Sequence, residues 1–167
     1  MVQASTLYVQ RCAVTRAPWQ ILVLPFRAIN GEHYEYALFQ RTDEAYWQGI
    51  AGGGEEHETP LAAAKREAFE EAHIPASVPF FALQTTTMVP VSQFAARHLW
   101  PKSLYVIPTR CYAADCSDLE LSLSEEHTQY TWLPYLLAMS QLRWDSDKTA
   151  LWELHERLRG NDLPPPV

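Results

Sequence analysis

Three carboxylates, Glu67, Glu70 and Glu71, directly follow Arg66. On a helix they are i, i+3 and i+4 neighbours and share one face. Like charges at that spacing weaken a helix by roughly a few tenths of a kcal/mol, so the grouping calls for a counter-charge. Mg²⁺, with Mn²⁺ able to substitute, takes hard oxygen ligands and keeps several waters. Glu67 and Glu71 can share such an ion, and Glu70 can reach it or a second ion from the flank. Upstream stand Gly52, Gly53 and Gly54. Glycines let a backbone carbonyl, such as that of Ala51, approach a metal unobstructed. Ions held there would neutralise a pyrophosphate, activate a water and stabilise charge at phosphorus, while a carboxylate took the water's proton.

These residues need a helix behind a glycine-rich loop, and the flanking sequence supplies one. Thr59 reads as an N-cap and Pro60 as the first helical residue. Leu61, Ala64, Ala68 and Ala72 form a narrow apolar stripe that lets the helix lie close to a sheet. His73 and the Ile74-Pro75 pair end it. Before the glycines, residues 18–29 read as a strand, with Pro25 favouring an edge or a bulge. Asn30-Gly31 signals a hairpin, and residues 34–41 alternate as the return strand. Residues 80–88, 104–113 and 125–133 are further strands, with a loop over 89–103. Residues 133–139 form a helical turn and 144–159 a helix ended by Gly160. The elements mix without regular alternation. The expected class is α/β, a mixed sheet sandwiched between helices, in one domain over 1–160 with an extended, exposed Pro-rich tail over 161–167.

Composition narrows the partners. Of the 167 residues, 47% are apolar, too many for a disordered chain. The formal net charge is -7 and no Lys/Arg run marks a nucleic-acid footprint. A phosphate ester would therefore need metal ions between two negative partners. No apolar run approaches a membrane span, and residues 1–10 carry no signal-peptide pattern. Cys12, Cys111 and Cys116 read as reduced thiols in a cytoplasmic protein. The sequence carries no signal for oligomeric state.

The full spacing, Gly-x5-Glu-x7-Arg-Glu-x-x-Glu-Glu from Gly52 to Glu71, resembles the Nudix box. That box marks hydrolases that cleave nucleoside diphosphates linked to another group. Ala68 stands in place of a bulky aliphatic residue, and His73 in place of the final glycine. His tolerates positive φ at a strain of about 1 kcal/mol. The resemblance implies that Gly52, Glu58 and Arg66 are structural, with Arg66 pairing Glu58, and that Glu67, Glu70 and Glu71 hold metal and do the chemistry. Glu55 and Glu56 read as ligands or as solvated loop charges. A carboxylate just before the 125–133 strand supplies a further ligand or the general base in such relatives. Glu126 matches best and Glu125 competes.

A weaker likeness concerns the substrate. Trp47-Gln48, Arg97-His98, Glu126-His127 with Trp132, and Trp144 together resemble the dihydroneopterin triphosphate pyrophosphohydrolase branch. A planar pterin or purine wants an aromatic or guanidinium face. Trp47, Phe94, Trp100 and Arg97 can supply one, and Arg41 and Arg97 can bind phosphate. The expected reaction splits a pterin or (deoxy)nucleoside triphosphate into monophosphate and pyrophosphate. The alternatives are a hydrolase of nucleoside diphosphate sugars or dinucleoside polyphosphates, and an inactive binding module of the same fold.

Overall fold

The computed structural model describes residues 16–42, 45–123 and 127–167. Seven strands form one mixed sheet: β1 (Arg16–Ala28), β2 (Tyr34–Arg41), β3 (Trp47–Gln48), β4 (Ile50–Glu55), β5 (Phe80–Pro90), β6 (Val106–Asp115) and β7 (His127–Pro134). Helix α1 (Pro60–Ala72) covers one face, and α2 (Tyr135–Gln141) and α3 (Asp145–Gly160) cover the other.

β1 organises the sheet. Along one edge it pairs antiparallel with β4 over Gln20–Val23 and with β2 over Phe26–Ala28. Along the other it runs parallel to β6. Pro25 therefore lies in a central strand, not at an edge or a bulge. It is tolerated because it falls at the changeover between β4 and β2, where no ladder bond is required of its missing N–H. β2 also pairs with β3 and, along its other edge, with β7.

Period-two alternation sorts the central strands into two cores. Ile21, Val23, Ala37 and Phe39 face α1, while Leu22, Leu24, Tyr36 and Leu38 face α2 and α3. Both faces are covered, so residues 36–39 are all fully buried. Helix α1 presents Ala63, Ala64, Ala68 and Ala72 to the sheet. Their small side chains bring the helix axis close to β4 and β1. The hydroxyl of Thr59 accepts from the Ala62 N–H at 3.2 Å and caps the helix. His73 closes it at φ 52°, its N–H bonded to the Phe69 carbonyl. The C-terminal helix ends differently from the expectation: Gly160 is still helical, and Asn161 takes the left-handed position at φ 51°. The turn at Asn30-Gly31 is also wider than a two-residue hairpin, since Ala28 pairs with Tyr34. The tail is extended and largely exposed, yet the Val167 N–H bonds the Phe80 carbonyl at 2.8 Å.

The largest correction concerns the triple glycine. Residues 50–55 are not a loop but strand β4, hydrogen-bonded to β1. None of Gly52, Gly53 and Gly54 has a positive φ. Their role is space: a Cβ on Gly52 would lie 1.9 Å from Cδ of Glu67, one on Gly53 2.2 Å from Cζ of Arg16, and one on Gly54 2.1 Å from the Trp19 ring. The Trp19 ring is a rigid plane packed against the core, so it yields only by shifting as a whole. Gly54→Ala should therefore destabilise the protein by about 1–3 kcal/mol through overpacking, read as a lowered midpoint in urea unfolding. An unchanged midpoint contradicts that packing.

Candidate active site

Strand β4 and helix α1 are joined at one guanidinium. Arg66 donates Nε to Glu58 at 3.0 Å and Nη2 to the same carboxylate at 2.9 Å, a two-pronged pair. Nη2 also donates to the Gly53 carbonyl at 2.9 Å. Nη1 donates to Glu67 at 2.8 Å and to Glu70 at 3.1 Å. These bonds occupy all five N–H donors of an arginine. The Glu58 carboxylate in turn accepts from the Glu55 N–H at 3.0 Å. Burial pushes the Glu58 carboxyl up, but Arg66 and that N–H outweigh it and hold it below the usual range.

The three acids of the helix face have different surroundings. Glu70 is exposed and Glu71 is 3% exposed. Glu67 lies against Gly52, and its burial pushes the carboxyl up to about 7 against the pull of Arg66. Glu71 meets His127 of β7, with Nε2 and Oε2 2.6 Å apart and both side chains almost fully buried. His127 Nδ1 has no hydrogen-bond partner among the described residues. The Phe39 ring, 5.4 Å away centre to centre, helps to fix the imidazole.

Glu67, Glu70, Glu71, Ala51 and Gly52 line one cavity of about 1000 Å³. Its other walls include Arg16, Arg41, Gln48, Phe94, Trp144 and Asp147. The donor set at the acidic end is all oxygen, which suits a divalent cation. No three Asp, Glu, His or Cys side chains among the described residues already converge as a finished metal site. Glu67 and Glu70 are turned to Arg66 and Glu71 to His127, so an ion would compete for their remaining lone pairs.

Other expected site residues fall elsewhere. Arg41 and Ala51 lie on the cavity wall, as does Phe94. Trp47 does not; it packs against the core beneath α2 and α3, while its neighbour Gln48 turns to the cavity. Arg97 is exposed on the turn Ala95–Leu99 and is not on the wall. Adjacent side chains along a strand point to opposite faces, so Gln48 rather than Trp47 meets the cavity. Trp100 is 9% exposed and donates its indole N–H to the Arg16 carbonyl. Glu126 and Glu125 lie outside the described residues. Arg16 was not foreseen. Its guanidinium sits 5.2 Å from the Phe94 ring centre, and burial draws its pKa down while Glu67 pulls it up. A lone arginine at a strand start has no sequence signature. Asp147 was also missed, because the acids opening a helix read as ordinary N-terminal charges.

Cys111 and Cys116 are buried free thiols, pushed up to about 12 by burial, and behave as small hydrophobic residues. Among the described residues no helix is long and apolar enough to cross a membrane.

Comparison with known proteins gives an independent view. Residues 23–152 match the family model described as the NUDIX domain. A structure from Listeria monocytogenes str. 4b F2365, assigned to the NUDIX hydrolases, is 38% identical with TM-score 0.79, over 88% of this chain and 98% of that one. The dihydroneopterin triphosphate pyrophosphohydrolase of E. coli is 23% identical with TM-score 0.71, over 86% of this chain and 99% of that one. An Ap4A hydrolase of C. elegans is 17% identical with TM-score 0.67, over 85% and 98%. At such identities the last two share the fold. Among curated protein sequences none matches the chain.

The geometry around Arg66 sets a pH dependence. Glu58 has a lowered pKa in the folded chain, so its pairing stabilises the fold fully above the unfolded carboxylate pKa. That contribution fades as pH falls through the lowered value. Glu58→Gln should cost about 1–3 kcal/mol at pH 7, and the gap from the parent should narrow toward pH 3 in urea titrations. A gap of constant size at both pH values contradicts the ion-pair assignment.

Proposed function

From the premise that this chain belongs to the Nudix family and is a hydrolase of phosphoanhydrides, we propose that it cleaves a pterin or (deoxy)nucleoside triphosphate to monophosphate and pyrophosphate with Mg²⁺. One observation supports this most: an acidic helix face, a glycine strand and two arginines line a single cavity that runs on to aromatic rings. Glu67, Glu70 and Glu71 are the residues that would hold Mg²⁺, or Mn²⁺ in its place, with the Ala51 carbonyl as a further oxygen donor. Bound Mg²⁺ supplies charge neutralisation at the phosphates and a more acidic water. Arg16 and Arg41 face the same space and can take phosphate oxygens. The reaction adds water to phosphorus and breaks a P–O–P bond, the departing oxygen leaving with pyrophosphate. A carboxylate of the site accepts the water's proton, and Glu126 remains the proposed partner of the helix acids in that task. His127 holds Glu71 in a fixed orientation. Trp144, Phe94 and Tyr46 line the wall and take the stacking role expected of Trp47. Cytoplasmic location, with a small phosphoanhydride as the partner, completes the proposal.

The alternative substrates, nucleoside diphosphate sugars and dinucleoside polyphosphates, separate by product. With Mg²⁺ present, triphosphates should yield pyrophosphate. Turnover confined to sugar diphosphates or dinucleotides removes the proposed substrate class, and ligand binding without metal-dependent turnover of any of them indicates a binding module. Glu71→Gln should lower kcat by about 10²-fold or more while the far-ultraviolet circular dichroism stays unchanged. A variant that turns over at nearly full rate removes Glu71 from the metal site.

A further inference from the structure

Helix α3 packs Leu151, Leu154 and Leu158 into the core beneath the sheet. Its outward face carries Asp145, Lys148, Trp152, Glu156 and Arg159 at steps of three and four residues, so they form one stripe along the helix. Lys148 is half-buried and the other four are exposed. Trp152, at the centre of the stripe, is 55% exposed. Beside it Met139 of α2, Lys148 and Thr149 line a hollow of about 340 Å³. Leu136, one turn before Met139, is 77% exposed. A single exposed aliphatic residue is ordinary, but a tryptophan set among apolar neighbours marks a surface that another body covers.

The charges around Trp152 say which body. Seven residues before it stands an acid, Asp145, and seven after it a base, Arg159. Four before it stands a base, Lys148, and four after it an acid, Glu156. Two copies of α3 laid antiparallel, with the two-fold axis at Trp152, bring Asp145 of each onto Arg159 of the other and Lys148 onto Glu156. Within one copy Lys148 already lies 3.6 Å from Asp145, and Arg159 3.1 Å from Glu156. Each end of such a pair therefore closes into a ring of four alternating charges. Parallel docking sets like on like. Sliding the antiparallel pair by one turn brings Asp145 to Glu156 of the second copy, or Lys148 to Arg159. The register centred on Trp152 is thus the one that matches all four charges, the self-complementarity that a two-fold interface requires.

The stripe also has no net charge of its own, while each copy carries -7 overall. Two copies repel each other, and a locally neutral face is where their approach costs least. Exposed ion pairs add little affinity but select orientation and register. Affinity comes from the centre, where tryptophan is among the residue types most enriched at interface hot spots. A helix of 16 residues is about 24 Å long, so the contact is small and the association reversible.

We propose that this face of α3 is an interaction surface for a second copy of the chain, the two helices packing antiparallel about Trp152. The proposal goes beyond the catalytic reading and does not depend on it.

Sedimentation equilibrium of the full chain tests it. The protein should pass from monomer to dimer as its concentration rises from about 1 to about 500 µM, the range of small reversible interfaces. Trp152→Ala should weaken association by about tenfold or more. Lys148→Glu sets two acids against each other at both ends of the pair, and Glu156→Lys sets two bases; each alone should weaken association by about tenfold or more. In an equimolar mixture of these two variants every contact across the axis again joins opposite charges, and dimer should return to about the parent level. That rescue requires position 148 of one copy to meet position 156 of another, and it also shows that both variants are folded. A parent that stays monomeric across the range overturns the proposal. So does a dimer that Trp152→Ala or the single charge variants leave intact, or a mixture that stays dissociated.

Discussion

Five hydrogen bonds from one arginine hold the acidic face of this molecule together. Arg66 ties helix α1 to the Glu58 turn through a two-pronged carboxylate pair and to strand β4 through the Gly53 carbonyl. The same guanidinium sets the positions of Glu67 and Glu70. A lysine could not repeat this, because it offers three donors from one point rather than a planar fork. The arrangement also explains the order of residue types along the chain. The acids can crowd onto one helical turn because an adjacent cation offsets their repulsion. The strand they approach carries glycines because its side-chain positions are already filled by Glu67, Arg16 and Trp19.

Much of this is legible in the sequence. The alternation over 34–41 and the cap, stripe and stop signals of α1 follow from local rules, and β2 and α1 appear with those bounds. The pairing of Arg66 with Glu58 was implied by the resemblance to the Nudix box. Other features depend on tertiary neighbours that a local window does not contain. The glycines suggested a flexible loop because their usual reason is backbone freedom; here the reason is crowding from residues many positions distant. Pro25 suggested an edge strand because nothing local reveals that two different strands flank it in succession. Trp47 drew attention as a large aromatic residue before the glycines, yet the face of a two-residue strand decides whether Trp47 or Gln48 meets the cavity. That face is set by the β2–β3 pairing of Gln40 with Trp47.

The two ends of the cavity differ in how they hold charge. At the helix end, Glu67 and Glu70 share Arg66 while Glu71 meets His127, and Glu67 lies against the Gly52 backbone. At the α3 end, Asp147 is held by neutral donors, the Gly49 N–H and the Ser146 hydroxyl, and Trp144 and Tyr46 lie on the same cavity wall. The sheet positions both from opposite directions: α1 packs on one face and α3 on the other, and β4 with the residues just before it runs between them.

That arrangement couples the ligands of the proposed reaction. A polyphosphate entering alone would meet Glu67, Glu70 and Glu71 with only Arg16 and Arg41 as facing cations on the described wall. Coulomb repulsion at short range in a partly desolvated cavity amounts to several kcal/mol, which Arg16, Arg41 and the Arg66 already bound to Glu67 and Glu70 offset in part. A divalent cation placed between the helix acids and the phosphates reverses the sign of that interaction. Each partner then raises the affinity for the other by the same factor, as linkage requires. In the proposed reaction metal would therefore govern whether a phosphoanhydride is held at all.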